Sequence, residues 1–286
     1  MDSNSIHPHR TKLHDFPYKL AAIDIDQTLV GPDKRIGSAN RKAVARLLEL
    51  GCRVVLASGR RHDNMLPYHR ELGLDGFVVS TQGAVARHGT KNHVLHEAHL
   101  APPDVAELMN EGLRRDLTVM HWSRRGVVAN DHTKWIRRYV EDCRDPVAVT
   151  DLRGLCDHSA EKIVWGAEPA AIASLLPGVR QRYGSRFQVT ITDDFFLEFT
   201  APDATKAFGL AAVARHYGIR PEEVMAFGDG NNDVPMLAWA GLGVAMSHAR
   251  PAARAAAKLT APSGNPESSL ARAVATILGD QPAAAA

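Results

Sequence analysis

Short apolar runs alternate along the chain with longer segments whose apolar residues recur every three or four positions. The runs "YKLAAIDI", "CRVVLAS" and "GFVVST" are short and nearly continuous, which predicts buried strands. Between the first two, "SANRKAVARLLELG" sets Ala43, Leu47 and Leu50 along one face of an expected helix. Ser38 is its expected N-cap and Gly51 its stop. "RRHDNMLPYHRELGL" predicts a second helix, with Pro67 as its weak point. Strands alternating with helices predict a parallel, doubly wound sheet.

The rhythm changes after "QGAVARHGT". Helices are expected in "PPDVAELMNEGLRRD", "TKWIRRYVED" and "EPAAIASLLPGVRQRYG". Strands are expected in "LTVMHW", "GVVAND", "EKIVWGA", "RFQVTIT" and "FFLEFT". Paired short strands flanking helices suggest an antiparallel sheet with helices on one face. After "APDATK" the first rhythm returns and runs through "EEVMAFGD", "LGVAM" and a last helix in "PESSLARAVATILG". The expected fold is therefore α/β. A Rossmann-like doubly wound core, discontinuous over residues 18–84 and 201–280, is interrupted by an inserted α+β domain at 85–200.

Composition narrows the function classes. The 286 residues are 45% hydrophobic and 23% charged, as in an ordinary globular chain. The net charge of +2, without a basic stripe interleaved with aromatics, speaks against nucleic acid as a partner. No apolar run is long enough to span a bilayer, so no membrane association is expected. The first residues lack a signal peptide's apolar segment. Cys52, Cys143 and Cys156 are few, odd in number and far apart, which suits reduced thiols. The expected location is cytoplasmic. His7, His9 and His14 read as a polar tail rather than a metal site, and the terminal "GDQPAAAA" as disordered.

In open parallel sheets, ligands bind beyond the carboxyl ends of the strands. Four loops there carry polar residues: "DIDQT", "ASGR", "PDATK" and "FGDGNND". The fold would bring Asp24, Asp26, Thr28, Ser58, Lys206, Asp229, Asn232 and Asp233 together from distant positions. Phosphoryl transfer fits this set. A carboxylate, Asp24, can act as a covalent nucleophile. It would be repelled by a phosphate dianion unless a cation neutralises both, and Asp24 and Asp229 offer the hard oxygens that suit Mg²⁺. Asp26 can protonate the leaving oxygen and later activate water, and its carbonyl could complete the metal shell. Ser58 and Lys206 would hold the phosphoryl oxygens, aided by backbone N–H groups of the loops. Each feature alone is weak: Asp is common in turns, Asp-Gly is an ordinary tight turn and "NND" could be a helix cap. Specificity comes from the order of the four.

With these motifs in place, the sequence resembles the haloacid dehalogenase (HAD) superfamily of phosphatases, and within it the Cof-type branch. "DIDQTLV" looks like its first motif, "LASGR" its second, "ATKAFGLAAV" its third and "MAFGDGNNDVPML" its fourth. The resemblance implies Asp24 as nucleophile, Asp26 as acid/base, and Thr28, Ser58, Gly59, Lys206 and Asn232 as phosphate-binding residues. It implies Mg²⁺ held by Asp24, Asp26 and Asp229, with Asp233 supporting the metal and Lys206. The insert falls where this branch carries its cap. The implied substrate is a small-molecule phosphate ester, expected to be a sugar or sugar-alcohol phosphate.

Five positions depart from the family pattern: Gln27, Gln82, Ala207 and the pair Ser247-His248. Gln82 is a candidate contact at the core–cap hinge or a solvated amide, and His248 is expected to stay out of the chemistry. The Arg-rich cap segment around Trp122 and Trp135 reads either as a substrate-attracting lid or as a solvated helix face, with the second favoured for most of its arginines. Two rivals stand beside the phosphatase reading: a phosphomutase on the same core, and a non-catalytic binding or regulatory protein that kept the fold.

Overall fold

The computed structural model of the protein describes residues 16–279, so the expectations for His7, His9, His14 and for most of the C-terminal tail lie outside the described residues. The first strand, β1 (Leu20–Ile23), has every residue buried, so it needs cover on both faces. It is followed by α1 (Ser38–Glu49), β2 (Arg53–Leu56), α2 (His62–Glu71) and β3 (Phe77–Ser80). After a long excursion the chain returns through α6 (Lys206–His216), β12 (Val224–Gly228), α7 (Val234–Trp239), β13 (Leu242–Ala245), α8 (Pro251–Ala256), β14 (Leu259–Thr260) and α9 (Ser269–Leu278). The strands form a parallel sheet in the order β14-β13-β12-β1-β2. Alternate residues face opposite ways. Ala21, Ile23 and Phe227 pack with Val44 and Leu47 of α1 and with Leu270 and Val274 of α9. Leu20, Ala22 and Ala226 pack with Leu210 and Val213 of α6 and with Leu237 of α7. This is the expected α/β, doubly wound arrangement.

Strand β3 adjoins β2 through a parallel bridge between Ala57 and Val79, where the Ser58 amide donates to the Val79 carbonyl at 2.9 Å. A hairpin of β4 (Val85–His88) and β5 (Val94–Glu97) extends this edge. Residues 85–97 were counted with the insert and no strands were expected there; the hairpin pairs with β3. Its mixed sequence, with Arg87, His88, His93 and His96, hides the strand signal, and β5 at the edge does not require one. The α1 N-cap is Gly37 rather than Ser38. The backbone carbonyl of Glu267 would lie 2.7 Å from a Cβ at position 37, so that corner has room only for glycine.

The second sheet is built from β6 (Thr118–Ser123), β7 (Gly126–Ala129), β8 (Val147–Val149), β9 (Lys162–Gly166), β10 (Gln188–Ile191) and β11 (Phe196–Thr200), in the order β10-β11-β9-β6-β7-β8. All pairs are antiparallel except β7 with β8. Strand β8 was not foreseen, because three residues at a sheet edge carry little pattern. Two helices, α3 (Pro102–Arg114) and α5 (Pro169–Tyr183), cover one face around Trp165, Leu197 and Phe199. The third, α4 (Lys134–Cys143), packs Ile136 and Tyr139 against Trp122 and Val164 on the other face, so the helices are not all on one side as expected. No helix among the described residues is long and apolar enough to cross a membrane.

Candidate active site

The strand order reverses between β1 and β12, because β2 and β3 lie on one side and β13 and β14 on the other. Loops leaving such a switch point diverge and open a crevice. Asp24 follows β1, and Asp229 follows β12. Lys206 opens α6, whose N-cap is Thr205. Its fully buried ammonium donates to Asp24 Oδ1 and to Asp233 Oδ1, each at 2.5 Å. Asp233 Oδ2 accepts the backbone N–H groups of Asp229 and Gly230 at 2.9 Å. Asp233 is thus consumed in holding Lys206 and the "GDGNND" loop.

Ligand oxygens of Asp24, Asp229 and Asp233 lie within 4.8 Å of one another. Three carboxylates around one ammonium leave an excess of buried negative charge. Burial first, and then Asp233 and Asp229 against the pull of Lys206, push Asp24 well above the usual carboxylate range. Burial, then Asp233, push Asp229 up to about 7. Such a site calls for a hard cation, and the free oxygens of Asp24 and Asp229 suit one.

The structure places the remaining expected residues unevenly. Ser58, Gly59 and Asn232 line the same cavity as Asp24, Asp26 and Asp229, and Asp233 reaches its wall. Thr28 does not reach it: its buried hydroxyl donates to Asp229 Oδ1 at 3.1 Å, so in this structure it positions a carboxylate instead of meeting phosphate. Lys206 lies beneath the cavity, with one of its three protons left over from the two carboxylate bonds. A Cβ at Gly59 would stand 2.6 Å from the Gln82 amide nitrogen, so a side chain there would push that amide from its place between Asn232 and Glu198.

Asp26 has partners that sequence reading missed. Arg60 grips it with two bonds, Nε to Oδ2 at 2.7 Å and Nη2 to Oδ1 at 2.8 Å, and Lys34 adds a third at 2.8 Å. Against the cost of burial, Arg60 and then Lys34 hold this carboxyl at about 2. Arg60 also donates to the carbonyls of Asp142 and Cys143 at the end of α4, and so ties the Asp26 loop to the second sheet's layer. The signal was there: Arg60 follows Ser58 by two residues at a strand end.

The second sheet roofs the site. Residues facing the core alternate with those under α3 and α5, so Met120 and Trp122 of β6, Lys162 and Val164 of β9, and Phe196 and Glu198 of β11 enclose a cavity of about 260 Å³. Glu198 is its polar centre. It accepts from Lys162 Nζ at 3.0 Å, Thr192 Oγ1 at 2.9 Å and Gln82 Nε2 at 2.8 Å. Gln82 in turn accepts from Asn232 Nδ2 at 2.9 Å, which links the "GDGNND" loop to the roof. The ammonium of Lys162 stands 3.6 Å from the Trp122 ring centroid. Glu198 was legible as a charge inside the apolar run "FFLEFT", a pattern that demands a buried partner, whereas Lys162 heads its run beside Glu161 and did not stand out. Three arginines of the cap segment turn elsewhere: Arg138 pairs with Asp142, and Arg114 and Arg115 with Glu111. Trp135 stacks on Phe195.

Gln27 and Gln82 both adopt left-handed backbone, with φ of 63° and 61°. Exposed His248 meets the Gln27 carbonyl at 2.8 Å and braces the loop from outside the cavity.

The model of the haloacid dehalogenase-like hydrolase family matches residues 21–274. The chain belongs to that family. Among its relatives, an HMP-PP phosphatase of Cronobacter sakazakii is 30% identical over 245 residues, covering 82% of this chain and 85% of the relative. A crystal structure of a haloacid dehalogenase-like hydrolase from Bacteroides thetaiotaomicron superposes with a TM-score of 0.79 at 27% identity, over 91% of this chain and 99% of the other. A sugar phosphatase of HAD subclass IIB shares the fold, with a TM-score of 0.80 at 22% identity over 91% and 99% of the two chains. The Cof-type HAD motifs "DIDQT", "ASGR", "ATK" and "FGDGNND" therefore sit on a HAD fold, at its switch point.

Proposed function

We propose that the chain hydrolyses small phosphomonoesters with Mg²⁺, through a phosphorylated Asp24. The observation that carries this is the Asp24–Lys206–Asp233 chain beside Asp229, at the floor of a small roofed cavity. Asp24 and Asp229 would hold the cation, which supplies charge neutralisation between the nucleophile and the phosphoryl oxygens. Asp24 forms an oxygen–phosphorus bond as the ester oxygen leaves with its electron pair. Asp26 gives that oxygen a proton, then takes one from the water that releases phosphate. The Arg60 and Lys34 bonds keep Asp26 ionised in the structure, so its turn as a donor requires them to open. Arg60 is anchored to carbonyls of the cap, which supports a movement of the cap as the trigger. Ser58, Asn232 and the spare proton of Lys206 meet the phosphoryl group, and Gly59 leaves room for Gln82.

Of the cap expected at residues 85–200, the hairpin up to Glu97 pairs with the core, and the six-stranded sheet that follows supplies the roof. The hydrogen-bonding face of Glu198, Thr192 and Asp193 favours a polyhydroxylated substrate, a sugar or sugar-alcohol phosphate. The apolar wall of Trp122, Met120 and Phe196 favours a second reading, an ester with a planar or apolar body. We place the enzyme in the cytoplasm, a reading supported by its three unpaired cysteines. Phosphate release from a panel of phosphate esters, with and without Mg²⁺, tests the proposal. Mg²⁺-dependent release without added bisphosphate is expected; transfer back to substrate would make the enzyme a mutase, and no turnover on any ester would contradict the reading.

A further inference from the structure

A second cavity, of about 720 Å³, lies on the cap away from Asp24 and shares no lining residue with the first. Its walls are apolar, with Val128 of β7, Val147 and Ala148 of β8, and Leu155 from the following loop. Exposed Arg124 and Arg125 stand at its rim, in the turn between β6 and β7. His121 lines it too. That side chain is 3% exposed, and its Nε2 has no hydrogen-bond partner. An apolar body with a few convergent polar groups is the usual form of a small-molecule site, and the size falls in the usual range. A buried polar atom without a partner is costly unless something fills the need.

The cavity also rests on two of the buried polar links between core and cap. Arg61 donates to Asp145 at 2.9 Å, and Thr81 donates to Glu161 at 3.0 Å. Both Arg61 and Glu161 line this cavity. Their chain neighbours Arg60 and Lys162 line the first one, as does Trp122 beside His121. A ligand here therefore touches the residues that set how the cap sits on the core.

We propose that this second cavity binds an amphipathic organic anion, apolar in body, with its charged head toward Arg124 and Arg125 and a polar atom toward His121 Nε2, and that occupancy shifts the cap. The occupant follows from charge: the rim is cationic, Arg61 is already matched by Asp145, and Glu161 is held by Thr81.

The test titrates the full chain with 8-anilino-1-naphthalenesulfonate, an apolar ring system with an anionic head, followed by fluorescence. One saturable site is expected, which Mg²⁺ with inorganic phosphate does not displace and shifts in affinity by no more than the coupling of about fivefold. The double charge reversal Arg124→Glu with Arg125→Glu should weaken it about tenfold or more. Ala148→Trp, at an exposed edge-strand position, should fill the cavity and do the same without disturbing the fold. At saturation, KM for p-nitrophenyl phosphate should shift about fivefold in the unaltered enzyme and not in the variants. Binding that phosphate displaces, binding equal in both variants, no saturable site, or an unchanged KM at saturation would overturn the proposal.

Discussion

The floor and the roof of the active cavity are built differently. The floor gathers its charge from loops remote in sequence, and nearly every oxygen and nitrogen there is fixed by another: Lys206 between Asp24 and Asp233, Thr28 on Asp229, Arg60 and Lys34 on Asp26. The roof is one face of a sheet whose other face is hydrophobic core, and its polar groups converge on Glu198. The floor is crowded and electrostatically unfinished without a cation, which is how a site dedicated to one reaction looks. The roof is a set of alternate strand positions, free to vary without disturbing Trp165, Leu197 or Phe199 beneath. One region fixes the chemistry and the other selects the substrate.

Variants can break that division in order of effect. Lys206→Met should cost about 3–5 kcal/mol, because it leaves Asp24 and Asp233 buried without their cation. Urea unfolding reads this, and a cost under about 1 kcal/mol would mean that the floor is not held by that charge. Glu198→Gln should leave phosphoryl transfer to p-nitrophenyl phosphate in place. It should change kcat/KM for sugar phosphates about tenfold relative to that ester. Equal losses on both would make the roof part of the chemistry.

A third effect separates stability from catalysis. His62, at the start of α2, is buried, and its Nδ1 has no partner. Burial, and then Arg87, hold its imidazole down at about 4. The unfolded chain takes up that proton near the ordinary value of 6.5, so stability is whole above this pH and falls as pH drops toward 4. The slope is at most about 1.4 kcal/mol per pH unit for this one proton. His62→Gln should flatten the unfolding profile across that window, and an unaltered slope would assign it elsewhere. The smallest effect concerns Gln27. Its φ of 63° is one that glycine adopts freely, so Gln27→Gly should raise stability by up to about 1 kcal/mol. A drop would mean that the side chain makes contacts worth more than the strain it bears.

The same contrast explains what could be read from the sequence. Asp24, Ser58, Lys206 and Asp229 were legible because each ends a strand or starts a helix, where polar residues stand out against apolar runs. Their distances and partners were not. Nothing in "DIDQT" reveals that Thr28 turns to Asp229, or that Arg60 and Lys34 grip Asp26. The sheet rhythms gave the architecture, but β5 and β8 escaped because an edge strand needs no apolar face, and β4, paired on both sides, because Arg87 and His88 interrupt its apolar run. Gln82 was legible as a candidate core–cap contact or a solvated amide; its span from Asn232 to Glu198 needs the fold to bring residues 82, 198 and 232 together. The hydrophobic pattern of a strand says that one face is buried, and not that the other faces a substrate.

The most direct test of the account is to find where phosphate goes. Enzyme mixed with a turned-over ester and Mg²⁺, then quenched in acid within one turnover, can be digested and mapped by mass spectrometry. The account predicts a phosphoryl group on Asp24, and its absence from Asp24→Asn together with a loss of turnover of roughly 10⁴-fold or more. A phosphoryl group on another residue, or full turnover in Asp24→Asn, would contradict it.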